Sequence, residues 1–159
     1  MATFYAPSDI SGIGGMHREH IHAVKSWRKG PGRYDTIFVN TDSSMEGMRG
    51  LKVACMLLFF SFSHEGVEYP CALVKWFSCV GDSPDSHTGM WVVEPDGETP
   101  ISIIHLDAVV RASHLLPIFG NESVPRTLAF TDTLNMFTTS AMSGLTTQHY
   151  VVLHSTIVS

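Results

Sequence analysis

Five groups of side chains in this 159-residue chain could do chemistry. His17, His20 and His22 lie within six residues, and three imidazoles could hold a transition metal. The spacing opposes it. On a helix His17 and His20 share a face without His22; on a strand His20 and His22 share one without His17. A solvated basic segment is the better reading, and no metal site is assigned.

His105, Asp107 and His114 could form an acid–base group, since His105 and Asp107 would share one face of a strand. Ser113 is next to His114, but adjacency is not triad geometry. No nucleophile elbow and no glycine-rich phosphate loop accompanies them. Half-buried histidines bonded to the backbone are the simpler expectation. The chain is therefore expected to be non-catalytic, without cofactor. The alternative is a His/Asp-based or metal-dependent hydrolase or nuclease.

Tyr69, Trp76, Phe77 and Trp91 could line an aromatic pocket for a methylated lysine, held by cation–π attraction. Strand aromatics are more often core. Arg18, Lys25, Arg28, Lys29 and Arg33, with Trp27 among them, could meet nucleic-acid phosphates and stack on a base. The plain alternative is a solvated basic loop, or one that pairs with the acidic part of the same chain. Asp82, Asp85, Glu94 and Asp96 match no calcium-loop spacing and read as solvated loop acids.

Charge is unevenly spread. Residues 1–52 hold seven of the ten Lys and Arg against five acids, whereas residues 53–159 hold three against ten. The net charge of −5 argues against a wholly basic nucleic-acid binder but leaves a basic front. Cys55, Cys71 and Cys79, an odd number without a CxxC pair, give no disulfide framework and read as three buried thiols. The first residues lack the pattern of a signal peptide, and the apolar run Val53 to Phe60 is too short to span a bilayer. The expected setting is intracellular, nuclear or cytoplasmic, with no membrane partner.

These residues need a scaffold, and the scaffold signals are β. Leu51 to Phe62 and Val67 to Val80 predict a hairpin turning at Ser63-His64-Glu65-Gly66. The first run is apolar on both faces, as a central strand is. Pro70 marks an edge position or a bulge. Leu57 and Phe59 are expected in the core, at about 2–5 kcal/mol each on truncation to Ala if fully buried. Arg33 to Thr41, Gly89 to Glu94 and Pro100 to Leu106 read as further strands. Asp107 to Leu116 mixes a helical-turn signal with a strand signal. His17 to Val24 allows a short helix, and Thr131 to Phe137 predicts another ending at Gly144. His149 to Val158 returns to strand character. The expected fold is mainly β: a small barrel or strongly bent antiparallel sheet with one or two short helices. It forms one domain over 1–159, with a basic segment 1–33, a β core 34–130 and a closing helix and strand 131–159. The apolar content of 44% also leaves room for a homodimer.

The blocks FYAPSDISGIGGMHRE, SWRKGPGRYDTIFVN, LLFFSF, YPCALVKWFSCVGDSPDSHTGMWVVEPD and IIHLDAVVRASHLLPIFG are similar to the C-terminal module of proteins from large basidiomycete DNA transposons, of the Plavaka and Kyakuja-Dileera-Zisupton type. The resemblance covers about residues 4–137. Residues 139–159 depart from it, and the acid-rich stretch after Glu94-Pro95-Asp96 is short. In that family the nuclease chemistry belongs to an upstream domain, so no catalytic residue carries over. The resemblance implies a non-catalytic binding module whose partner is DNA or a chromatin protein; the alternative is a protein-protein interaction domain or a degenerate transposon remnant. The order of strands also resembles BAH and Tudor-like barrels, at the level of fold alone.

Overall fold

The computed structural model describes residues 1–7, 16–45, 47–98, 100–118 and 150–152. The protein is mainly β, built on an eight-stranded antiparallel sheet. Its spine is the hairpin of β6 (Leu51–His64) and β7 (Val67–Cys79). His64 pairs with Val67, and the two turn residues Glu65 and Gly66 both take positive φ. This is the turn twist that suits a two-residue hairpin. Neighbouring strands add outward: β5 (Thr36–Asn40) pairs with β6, and β10 (Val109–Ser113) pairs with β5.

On the far side, one edge of β7 takes two strands in succession. β8 (Trp91–Pro95) pairs with Phe77 to Cys79, and β9 (Ile101–His105) pairs with Cys71 to Lys75. The chain leaves the edge between them, and Trp76 marks both ends of the excursion. Its N–H donates to the Pro100 carbonyl at 2.9 Å, and its carbonyl accepts from the Asp96 N–H at 3.0 Å. Pro70 lies one residue beyond the last β7–β9 pair, where no ladder donor is required of it. The bulge in the hairpin falls elsewhere, between Met56 and Leu58.

β12 (Tyr150–Val152) pairs with β8, and β11 (Leu115–Pro117) with β12. β10 and β11 therefore stand at opposite ends of the strand order, yet only His114 separates them in the chain. Successive Cα atoms are about 3.8 Å apart, so the sheet must curl to bring its ends together. Among the described residues no ladder closes it, and the result is a strongly bent sheet rather than a barrel.

Alternation on the spine builds two cores. Ala54, Met56, Val74 and Trp76 join Ile21, Ile37 and Val39 in one. Val53, Cys55 and Phe77 join Phe38, Met48 and Val93 in the other. Leu57 and Phe59 only pack against these clusters half-buried, so the centre of the core lies a turn of the pleat earlier than expected. Cys55 and Cys71 are buried, but Cys79 ends β7 and is exposed, which corrects the expectation of three buried thiols.

The segment with helical signals near residue 20 is strand. β2 (Met16–Ile21) pairs along its length with β1 (Ala2–Pro7). Glu19 fastens this hairpin to the edge of β10, accepting from the Ala112 N–H at 2.8 Å and from Arg111 Nη2 at 3.0 Å. That tertiary anchor and the burial of Ile21 outweigh a weak local helix preference. The mixed signal after Asp107 resolves into both elements: a 3-10 turn over Leu106–Ala108, capped by His105, then β10. The expected helix at 131–137 lies outside the described residues. Among those described, no helix is long and apolar enough to cross a membrane.

Candidate functional site

The two rungs of β3 (Ala23–Val24) and β4 (Arg33–Tyr34) project residues 25–32 as a hairpin tip. Gly32 is needed at its base, since a Cβ there would stand 2.8 Å from the Tyr34 ring. Within the tip, the Gly30 N–H donates to the Trp27 carbonyl at 2.8 Å and the Trp27 N–H to the Pro31 carbonyl at 2.9 Å. Ser26 Oγ adds a bond to the Gly30 carbonyl at 2.9 Å. The residues between Trp27 and Gly30 are Arg28 and Lys29, with φ of 49° and 65°. Turns of this shape favour Asn and Gly there. A larger L-residue in that region costs roughly 1–2 kcal/mol.

A polar post supports the tip. His22 is 5% exposed. Asp35 Oδ2 accepts from its backbone N–H at 2.8 Å and from its Nδ1–H at 2.9 Å. The other oxygen, Oδ1, accepts from Arg33 Nε at 2.7 Å. The Asp35 backbone completes the bracing, its N–H donating to the His22 carbonyl and its carbonyl accepting from the Met56 N–H, both at 2.9 Å. The core strand β6 is thus tied to Asp35, and Asp35 to His22 and Arg33.

Trp27 stands on this post. Its ring meets the His22 ring edge-on, with centroids 4.3 Å apart at 69°. The Arg33 guanidinium lies 4.9 Å from the indole centroid and that of Arg28 lies 5.5 Å from it, both within cation–π range. Arg33 is engaged by Asp35 as well. Lys25, Arg28 and Lys29 are exposed, and no carboxylate pairs with them among the described residues. The arrangement can present cations to an anion, held at fixed spacing by a half-buried indole. Arg18 stands apart from the tip, exposed on β2 opposite Tyr5.

Asp35 was not singled out by sequence reasoning. The available signal was the pair of short strand runs around Lys-Gly-Pro-Gly, whose hairpin pairing brings residue 35 back beside residue 22.

The other constellations do not assemble. Trp76 and Phe77 are adjacent on β7 and point into opposite cores, so they cannot line one pocket. Trp76 is 8% exposed and donates from Nε1 to Ser102 Oγ at 2.6 Å. Trp91 packs against the Phe77 cluster, while Tyr69 stacks on Phe62 in the outer hairpin, with centroids 5.2 Å apart at 16°. His105 and Asp107 do meet, but as a local cap: His105 Nδ1 accepts from the Asp107 N–H at 3.2 Å, and the Asp107 carboxylate is exposed. His114 joins β10 to β11, and among the described residues no hydrogen bond or ion pair links it to His105 or Asp107. The buried Ser113 Oγ has no hydrogen-bond partner among the described residues, and no histidine is placed to activate it.

His20 faces solvent and reaches Thr3 Oγ1, at 3.3 Å, whereas His22 is turned inward to Asp35. The side chain of His17 lies outside the described residues. No three His, Cys, Asp or Glu side chains converge as a metal site would require, among the described residues. Asp85 instead serves its own loop, accepting from the N–H and Oγ1–H of Thr88, and these bonds hold its carboxyl below the usual range. No protein-family model matches this chain, and no curated protein or solved structure matches it either.

Proposed function

We propose that the protein is a non-catalytic binding module whose 25–33 hairpin tip contacts the phosphate backbone of nucleic acid, with DNA as the partner. One observation carries the reading: Arg28 and Lys29 hold consecutive positive-φ positions at an exposed tip. Strain of this kind persists where the surrounding structure enforces it, and it concentrates at functional sites. Here it holds two exposed cations at the tip, with Arg28 over an indole braced from the core. The similarity to modules of fungal transposon proteins, which act on chromosomal DNA, supports the same partner and a nuclear setting. Trp27 serves to position Arg28 and Arg33 rather than to stack on a base. A histone-peptide reading loses its support, because Trp76 and Phe77 point into opposite cores and Tyr69 stacks on Phe62 in the outer hairpin. The His105–Asp107 pair offers a hydrolase neither a nucleophile nor a third member.

The test is fluorescence anisotropy of labelled duplex, single-stranded DNA and RNA across a salt series. Binding should tolerate sequence changes and weaken linearly in log salt, with a slope of about −0.9 per phosphate contact. Replacing Arg28 and Lys29 with Ala should flatten that slope by about two contacts. Absence of binding to any of the three at low salt would defeat the proposal.

A further inference from the structure

The outer half of the β6–β7–β9 sheet carries a continuous apolar band on one face. Leu58, Leu73 and Ile103 are cross-strand partners and share a face, as do Phe60, Cys71 and His105 in the next row. Phe62 and Tyr69 extend it toward the turn. On the opposite face Phe59, Ala72 and Ile104 pack into the first core, and beyond them the stretch turns polar at Ser61, Ser63 and Glu68. The bulge at Leu57 produces this arrangement. Odd-numbered Val53 and Cys55 lie on the face of the second core, and the extra residue hands that face to even-numbered Leu58, Phe60 and Phe62.

The apolar face therefore runs out of a buried core into the open. Leu58 is 51% exposed, Phe62 49%, Ile101 52% and Ile103 61%. Nothing lies over them among the described residues. Together with their half-buried neighbours they present on the order of 500 Å² of apolar surface, toward the top of the range a typical monomer leaves open.

We infer that this face is a homodimer interface: a second copy of the chain packs its own Leu58–Phe62–Ile103 band against it about a two-fold axis. Two such bands bury on the order of 1,000 Å² in total, the threshold of a specific interface. A two-fold contact needs a surface that complements itself, and an apolar sheet face does so as the half of a β-sandwich. Charge permits it. The chain carries a net −5, which opposes self-contact over much of its surface. The band, however, holds no carboxylate. Glu65 is at the turn, Glu68 is on the other face, and half-buried Lys75 at the margin is its one permanent charge.

Sedimentation equilibrium of the full chain tests the interface. The expected mass is twice 17.5 kDa. Ile103→Lys should return it to the single-chain mass at the same concentrations, while Glu68→Lys on the opposite face should leave it dimeric. Should Ile103→Lys fail to fold, Ile103→Thr keeps the β-branch and should weaken the dimer by about tenfold or more, equivalent to about 1.4 kcal/mol. A wild-type chain that stays at 17.5 kDa at every concentration overturns the inference, whether the face then binds a hydrophobic dye or excludes it. So does an Ile103→Lys variant that folds and stays dimeric.

Discussion

Asp35 Oδ2 accepts two hydrogen bonds from His22, one from its backbone N–H and one from Nδ1, across thirteen residues of chain. A carboxylate is acceptor-only, so the imidazole must carry its proton on Nδ1 here. The pair joins the base of the cationic tip to the strand that leads into the sheet. Asp35→Asn keeps the shape but removes the charge that also holds Arg33. We expect a loss of about 1.5–3 kcal/mol in urea unfolding, the range for bonds to a charged group. Most of it belongs to the buried His22 contact, because the Arg33 side chain is 35% exposed and its pairing is screened. Polyanion affinity should fall in the same variant.

Arg28 and Lys29 should move stability and binding in opposite directions. Arg28→Asn with Lys29→Gly supplies the residues that a positive-φ turn prefers. The double variant should gain about 0.5–1 kcal/mol by thermal melting, as relieved strain outweighs the added freedom of the unfolded chain. Its affinity for nucleic acid should drop. A rise in both would detach the strain from function.

In the spine, the cost of truncation should follow the bulge. Met56 is fully buried and precedes it, whereas Leu57 is half-buried within it. Met56→Ala should cost about 2–5 kcal/mol. Leu57→Ala should cost distinctly less, and equal losses would place the core elsewhere.

Cys55 sets a limit at high pH. Burial pushes its thiol up from 9.0 to about 12, with nearby Lys75 opposing the shift and Asp35 adding to it. The unfolded chain gives up this proton first, so the contribution is intact below pH 9. It is lost between pH 9 and about 12, at about 1.4 kcal/mol per pH unit. Urea midpoints should fall over that window, and less steeply in Cys55→Ala once its own packing loss is subtracted. At neutral pH iodoacetamide should modify Cys79 alone in the native protein.

The hairpin, a turn ending at Gly66 and strands β8 and β9 were legible in the chain, because they rest on neighbours in sequence; the strand runs two residues further than expected, to His64. Alternation, β-branched residues and turn chemistry act over a few residues and need no partner to be read. The basic composition of 18–33 was legible for the same reason. That Trp76 and Phe77 cannot share a pocket also follows from strand period alone.

Three features required the folded chain. β2 is a strand because Glu19 finds Ala112 and Arg111, over ninety residues away. The tip became a braced site because β3–β4 pairing returns Asp35 to His22. The outer face of the hairpin became an apolar band because one extra residue at Leu57 reverses the parity of everything after it. A pattern of residue types fixes which local shapes are cheap. Which distant carboxylate meets which amide, and where a ladder slips by one, depends on the summed packing of the whole sheet, and only the tertiary structure decides it.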